Sequence, residues 1–442
     1  MKKKSVGMMV VILSLLISML AACASNNNTP ENTAGGKETP SPSAVESKTP
    51  AAGKTTVNFW HSMSGNNGEY IDKMIKAYNA SQDKVEVIGT FQGNYQETLT
   101  KLQQAVPAKT APDISMLERA FVPLLAEAEV LADLNPLLAS TGMSEDDFLP
   151  GLLGNVKFNG QLNALPFNRS TPLLHINKTM LDEKGLKIPT TWEELETVAN
   201  ALVIKENGEY KRYGYTMPYA SWYPIAMIVQ QKGAFFNEEG TGMGFDQEGV
   251  AAFEFLKKMQ STGALYYPAR QDSGNIVNGM FASGQVGMMM ESTGVIGRHA
   301  GVVDFEYVTA YLPMKEQYGA PTGGANLVMF EDSKNKEAAW DFMNWVFNDP
   351  QGGQQFILDS GYVPFTKKMV ESAEMKAQWE QVPARKVAFE QLAHAIDTNN
   401  HAAFAAVDQI FLKATEAIMY DNADIASTLN GFKKEAEALM KE

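Results

Sequence analysis

Five histidines, His61, His175, His299, His394 and His401, are the first side chains that could do chemistry. None belongs to a His-Glu-x-x-His pair, the spacing that puts two zinc ligands on one helix face. His394 and His401 stand two turns apart on any helix, which reads as a solvated face. No Gly-x-Ser-x-Gly elbow occurs, so the common serine-hydrolase signature is missing. Gly53-Lys54-Thr55 has the tail of a phosphate loop, but Lys48 stands where the partner glycine belongs. Gly240-Thr241-Gly242-Met243-Gly244 has the wrong spacing for a dinucleotide fingerprint and follows Asn237-Glu238-Glu239 rather than a strand. Carboxylates are numerous enough to flank a glycosidic bond, yet spacing along a chain does not measure their separation in space. The one cysteine, Cys23, excludes a disulfide framework and a Cys-based structural zinc site. No catalytic residue, metal or cofactor is expected.

Binding is better represented than reaction. Aromatic, hydroxyl and glycine residues cluster in Phe59-Trp60-His61-Ser62-Met63-Ser64-Gly65, Gly93-Asn94-Tyr95, Glu118-Arg119 and Pro166-Phe167-Asn168-Arg169-Ser170-Thr171. Further clusters are Tyr219-Ala220-Ser221-Trp222-Tyr223, Glu291-Ser292-Thr293-Gly294, Gly323-Gly324-Ala325-Asn326 and Ser360-Gly361-Tyr362-Val363-Pro364. Ring faces suit the C–H faces of polyols and sugars, while hydroxyls and free backbone N–H groups suit hydroxyl or phosphate oxygens. The formal charge of −14 and the lack of a basic stripe after residue 4 argue against nucleic acid as a partner.

The elements that must position these clusters alternate. Residues 57–60, 85–88 and 113–117 read as strands, and residues 69–78 and 95–105 as helices, with Tyr70, Met74, Ile75 and Tyr78 on one face. This order predicts an α/β fold with a mostly parallel sheet, where ligands bind beyond the carboxyl ends of the strands. Thr191 can cap a helix, with Glu194 at the reciprocal capping-box position, and Asp349-Pro350 opens another. Residues 286–290 read as a strand after a turn at Gly284. With 442 residues, 45% of them hydrophobic, the chain exceeds the ~250–300 residues of a single core, so two lobes are expected.

The first residues are an address. Lys2, Lys3 and Lys4 precede an uncharged run over residues 6–22, too short for a spanning helix and ordered as a secretory signal. Leu20-Ala21-Ala22-Cys23 resembles the bacterial lipoprotein signal, in which the cysteine is lipidated and the chain is cut just before it. Residues 1–22 are thus expected to be a signal peptide, with Cys23 as the lipidation site. Residues 23–54, poor in apolar side chains, are expected to be a disordered tether.

Several clusters match in order a known pattern: Phe59-Trp60-His61-Ser62-Met63-x-Gly65, Gly93-Asn94-Tyr95, Pro166-Phe167-Asn168-x-Ser170-Thr171-Pro172, Gly323-Gly324-Ala325 and Gly361-Tyr362-x-Pro364. With them the chain resembles the extracellular solute-binding proteins of ABC importers, the family that includes maltose-binding proteins, and most of all its glycerol-phosphate-binding branch. The likeness runs over about residues 59–365. It implies a two-lobed periplasmic-binding-protein-like fold of type II, each lobe a mixed sheet flanked by helices, with the ligand cleft between the lobes. Lobe 1 would hold about residues 55–165 and 313–350, and lobe 2 about residues 166–312 and 351–442.

The resemblance also implies a non-enzymatic, monomeric receptor, lipid-anchored outside the cell membrane, that hands a polyol phosphate to permease subunits. Tyr95, Glu118, Ser170, Trp222, Ser292, Gly324 and Tyr362 would surround the ligand. Trp222 would stack on the polyol, Glu118 would accept from its hydroxyls, and Ser170 with the Gly324 N–H would donate to phosphate. Thr293 could replace Ser292, and His61 and Thr171 are further candidates. One departure bears on the ligand. The glycerol-phosphate binder carries an arginine near its C-terminal end, and Ala393-His394-Ala395-Ile396-Asp397-Thr398-Asn399 has none. Arg169 and Arg119 adjoin matched positions, and a guanidinium at 169 would offer a bidentate phosphate contact. Alternatively Arg169 points to solvent or pairs with a surface carboxylate, and the cleft takes a neutral sugar or oligosaccharide. From other classes, the alternatives are a secreted carbohydrate-active enzyme and a passive adhesin.

Overall fold

Apolar side chains alternate along Thr55–His61 (β1), where Val57, Phe59 and His61 are buried, so one face of this strand lies against a core. Helix α1, Gly65–Ser81, follows and buries Ile71, Met74, Ile75 and Tyr78, while Tyr70 stays half-buried. Strand β2, Val85–Phe91, returns parallel to β1, and helix α2, Tyr95–Ala105, leads to β3, Ile114–Glu118. The computed structural model describes residues 53–396, 398 and 400–441. Cys23, the expected signal and most of the expected tether lie outside the described residues.

The first sheet runs in the order β2, β1, β3, Gly323–Met329, Leu165–Ser170. Its first three strands are parallel, and the last two each run antiparallel to their neighbour. The mostly parallel sheet expected from local order is therefore mixed, because two strands arrive from distant parts of the chain. The second sheet orders Leu265–Tyr266, Glu209–Thr216, Val286–Ser292, Pro172–Asn177 and Tyr307–Ala310, with Ile204–Glu206 pairing on Glu209–Thr216.

The two sheets meet where the chain passes between them. Leu165–Ser170 belongs to the first sheet and Pro172–Asn177 to the second, with Thr171 alone between. Ser170 pairs with Gly323, and Pro172 pairs with Ser292. One residue of separation thus brings three of the sequence clusters to one junction. The exchange expected at residue 350 falls later. The turn Pro350–Gln354 and the helix Gln355–Ser360 pack on α1, where Lys73 Nζ meets Asp359 Oδ2 at 2.7 Å. Leu149 N donates to Phe365 O at 3.1 Å, and Phe148 bridges Thr366, so residues 351–366 stay with the first sheet. The helices Phe404–Met419 and Ile425–Leu439 pack beside Gln247–Ser261, around a ring cluster of Phe235, Phe245, Phe411 and Phe432.

Local signals hold at several ends. Thr191 Oγ1 caps the helix Trp192–Leu202 by accepting from Glu194 N at 3.2 Å. Glu194 Oε2 accepts instead from Thr190 N at 2.7 Å, one residue earlier than the reciprocal bond of a capping box requires. Asp349 Oδ1 accepts from Gln351 N at 2.9 Å, as a capper before proline does.

Candidate functional site

Each expected contact residue sits at or close to the end of an element. Tyr95 opens α2, fixed by a capping box in which Asn94 Oδ1 accepts from Glu97 N and Glu97 Oε2 accepts from Asn94 N. Its Oη accepts from Asn168 Nδ2 at 2.8 Å, and Asn168 Oδ1 accepts from Ala325 N at 3.2 Å. Tyr362 Oη donates towards Met63 Sδ at 3.6 Å. Burial raises both phenols, so each keeps its proton and remains a donor. A Cβ added to Gly294 would lie 3.0 Å from the Tyr362 ring, which brings the second sheet's corner to this tyrosine.

Trp222 opens the helix Trp222–Gln230 and lies against the glycine strand: a Cβ added to Gly323 would stand 2.6 Å from Trp222 Cζ2 and 3.1 Å from Ser170 Oγ. Trp222 Nε1 is buried with no partner among the described residues. Gly324 has φ +82°, and its added Cβ would lie 1.9 Å from Asn168 O, so backbone approach there requires glycine. Tyr95, Glu118, Trp222, Ser292, Gly324 and Tyr362 are half-buried, and Ser170 is 3% exposed. Thr293 is fully buried and donates its N–H to Thr171 O at 3.0 Å, so Ser292, not Thr293, offers the accessible hydroxyl. The residues expected around a ligand form one cluster of ring faces, hydroxyls and a carboxylate.

Arg169 is a correction. Its guanidinium is 1% exposed and engaged by the protein rather than open to a ligand: neighbours on a strand point to opposite sides, and Asn168 and Ser170 carry the contacts to Tyr95 and to the glycine strand beside Trp222. Nε donates to Gly323 O at 2.9 Å, Nη1 to Leu152 O at 2.9 Å and Asn326 Oδ1 at 3.0 Å, and Nη2 to Thr322 Oγ1 at 2.7 Å. The fork expected to hold a phosphate instead holds the glycine strand in place. Arg119, also fully buried, donates to Thr322 O and, at 2.6 Å, to Asn155 Oδ1. Thr171 accepts from Gln391 Nε2 at 2.9 Å inside the junction. His61 is buried between the rings of Phe59 and Phe91, where desolvation lowers its pKa and favours the neutral ring.

Among the described residues, two carboxylates face this region, and the sequence reading named only Glu118. Its Oε2 accepts from Ala120 N at 2.8 Å, and its pKa is raised to about 7, by burial first, against Arg119 and that N–H. The other is Asp408, on Phe404–Met419, which accepts from Ser221 Oγ beside Trp222 and is raised to about 6 by burial. The charge of Asp408 raises Glu118 further, and Phe121 meets Phe404 at 6.2 Å between centroids, packing this helix on the turn after Glu118. No motif marks Asp408; it is one polar position on an otherwise ordinary amphipathic helix. Among the described residues, no cluster of His, Cys, Asp or Glu could hold a metal ion.

The two acids make stability fall as pH rises. Their folded pKa values, about 7 and 6, exceed the ordinary 4.5 and 3.8, so over that interval the folded chain holds protons that the unfolded chain has released. His175 and His299, lowered by burial to about 3 and 4, act with the opposite sign below their ordinary 6.5. A comparison of parent with Glu118→Gln/Asp408→Asn therefore isolates the acids. The melting temperature of the double variant minus that of the parent is expected to grow between about pH 5 and about pH 8. A constant difference would show that neither carboxyl is perturbed.

The chain belongs to the bacterial extracellular solute-binding proteins, whose family pattern matches residues 73–384. It is a solute-binding protein of an ABC importer, with the two-lobed fold of the maltose-binding-protein type. The sn-glycerol-3-phosphate-binding periplasmic protein UgpB of Agrobacterium fabrum is 24% identical over 414 residues, 88% of this chain and 93% of that protein. UgpB of Rhizobium meliloti is 27% identical over 373 residues, 79% and 84% of the two chains. Among solved structures, UgpB of Mycobacterium tuberculosis in complex with glycerophosphocholine superposes with a TM-score of 0.77 at 24% identity, covering 88% of this chain and 99% of that one. A substrate-binding protein of Listeria monocytogenes in complex with cycloalternan gives 0.78 at 20% identity, with the same coverage.

Proposed function

We propose that this protein is a lipid-anchored receptor, attached through Cys23, that captures a polyol phosphate such as sn-glycerol-3-phosphate or a glycerophosphodiester and delivers it to the importer's permease. It works as a monomer and returns its ligand chemically unchanged. One observation carries the reading: the Trp222 indole lies against the Gly323-Gly324 strand beside Ser170 Oγ, so a stacking wall stands next to small, neutral donors. A polyol backbone fits against the ring, and its phosphate meets hydroxyl and N–H groups. With Arg119 and Arg169 engaged by the protein, a singly charged phosphodiester is less costly to bury here than a dianionic monoester. The relatives named for sn-glycerol-3-phosphate support the same class.

Glu118 and Asp408 favour a second reading, a neutral oligosaccharide whose hydroxyls donate to the two carboxylates. Calorimetric titration with glycerophosphocholine, sn-glycerol-3-phosphate and maltotriose separates the two. Glycerophosphocholine is expected to bind the parent, and Trp222→Ala to lose more than ~1 kcal/mol of that affinity with the melting temperature little changed. Tight binding of maltotriose alone would overturn the polyol-phosphate reading, and turnover of any of the three would overturn the receptor.

A further inference from the structure

Glu291 is a buried carboxylate at the site whose oxygens are taken up by the protein's own donors. It is 6% exposed at the end of Val286–Ser292, and three donors surround it. Tyr223 Oη and Ser292 N, the latter at 2.7 Å, both donate to Oε1, and Asn278 Nδ2 donates to Oε2 at 3.0 Å. Asn278 Oδ1 in turn meets His299 Nε2 at 2.7 Å, and burial keeps that ring neutral, with a pKa of about 4. Because Asn278 uses its amide hydrogens on Glu291 and on Gly274 O, its oxygen must accept, so His299 carries its proton on Nε2.

The two ends of this clamp hold expected contact residues. Tyr223 follows Trp222, with ring centroids 5.6 Å apart, and Ser292 is itself the accessible hydroxyl of the opposite corner. Helix Trp222–Gln230 has no side-chain cap at Ser221, so the Tyr223–Glu291 bond ties its first turn to the strand end. His175 Nε2 meets the Glu291 carbonyl at 3.0 Å and its Nδ1 meets Tyr307 Oη at 2.8 Å, which steadies the same corner from behind.

We propose that Glu291 is a positioning residue for ligand capture, whose carboxylate sets the separation between the Trp222 wall and the Ser292 corner through Tyr223 and the Ser292 N–H. The role of those two residues as contacts rests on the function proposed above; the clamp itself is testable without any ligand. Burial is the largest influence on the Glu291 carboxyl and raises its pKa. The hydrogen bonds of Tyr223, Ser292 and Asn278 and the charge of Arg298 oppose this, and the charge of Glu291 in turn raises the Tyr362 phenol. Three donors converge on the ionised form, so removing one loosens a charge-assisted bond.

Labelling with 5-fluorotryptophan reports on the six tryptophans, and Trp222→Phe identifies the Trp222 fluorine signal. Tyr223→Phe, which removes only the hydroxyl, is expected to move that signal while Trp340 and Trp379 keep theirs. Glu291→Gln should move it too, and the double variant should move it no further than the larger single change, because both act through one contact. Affinity for glycerophosphocholine should fall about tenfold in Tyr223→Phe, with the melting temperature close to the parent's. An unmoved Trp222 signal in folded Tyr223→Phe protein would overturn the clamp, and this variant decides alone if Glu291→Gln does not fold. If the parent does not bind glycerophosphocholine, the proposed ligand class fails while the fluorine signal still decides the clamp.

Discussion

Arg169→Ala is expected to melt far below the parent, whatever the ligand. The substitution leaves Gly323 O, Leu152 O, Asn326 Oδ1 and Thr322 Oγ1 without the donor they now share, in a place that solvent does not reach. A buried polar group left unpaired costs about 1–3 kcal/mol, and several left together put this change among the most damaging single substitutions, above about 4 kcal/mol. Arg169→Lys should recover only part of the loss, since one ammonium cannot span the geometry of a planar fork. Urea and thermal melts measure it. An Arg169→Ala protein that melts like the parent and has lost only phosphate binding would return Arg169 to the cleft and make this placement wrong.

Gly324→Ala is expected to lose ligand binding altogether. The residue occupies the left-handed region at φ +82°, where a side chain is strained by about 1–3 kcal/mol, and the new Cβ would meet Asn168 O at 1.9 Å. Backbone cannot yield as the tip of a flexible side chain can, so the strands Leu165–Ser170 and Gly323–Met329 must separate. Their register already shifts between Ala325 and Asn326, next to this contact. Separation withdraws Asn168 from Tyr95 and moves the glycine strand off the Trp222 ring, so the effect reaches both walls of the site. Calorimetry with glycerophosphocholine and a thermal melt together test it. Parent-like binding in a folded Gly324→Ala protein would show that the strands do not approach as closely as described.

Short-range patterns were legible in the sequence because the forces behind them act within a few residues. Residues 57–60 and 85–88 read as strands and lie in β1 and β2, residues 95–105 read as a helix and form α2, and Thr191 and Asp349 marked helix starts through side chains that reach only two or three residues. Motif order carried the family, and with it the two lobes. Even there tertiary packing adjusted the detail: Glu194 reaches Thr190 rather than Thr191, and the chain stays with the first sheet to about residue 366.

Tertiary structure alone decided which way each site residue faces and what meets it. Adjacency to Ser170 suggested that Arg169 shares its ligand, but strand pleat sends consecutive side chains to opposite faces, and the guanidinium became a buried strut. Asp408 lies 186 positions after Trp222 in the chain and reaches it through Ser221 only because Phe404–Met419 packs across the junction. Glu291 belongs to the cluster Glu291-Ser292-Thr293-Gly294, yet its partners Tyr223 and Asn278 come from two separate helices. Composition and local spacing determined the kinds of group available and the elements that carry them. The assembly of a binding site from segments so far apart follows from long-range packing, whose energy depends on which surfaces are buried together, and no spacing along the chain encodes that directly.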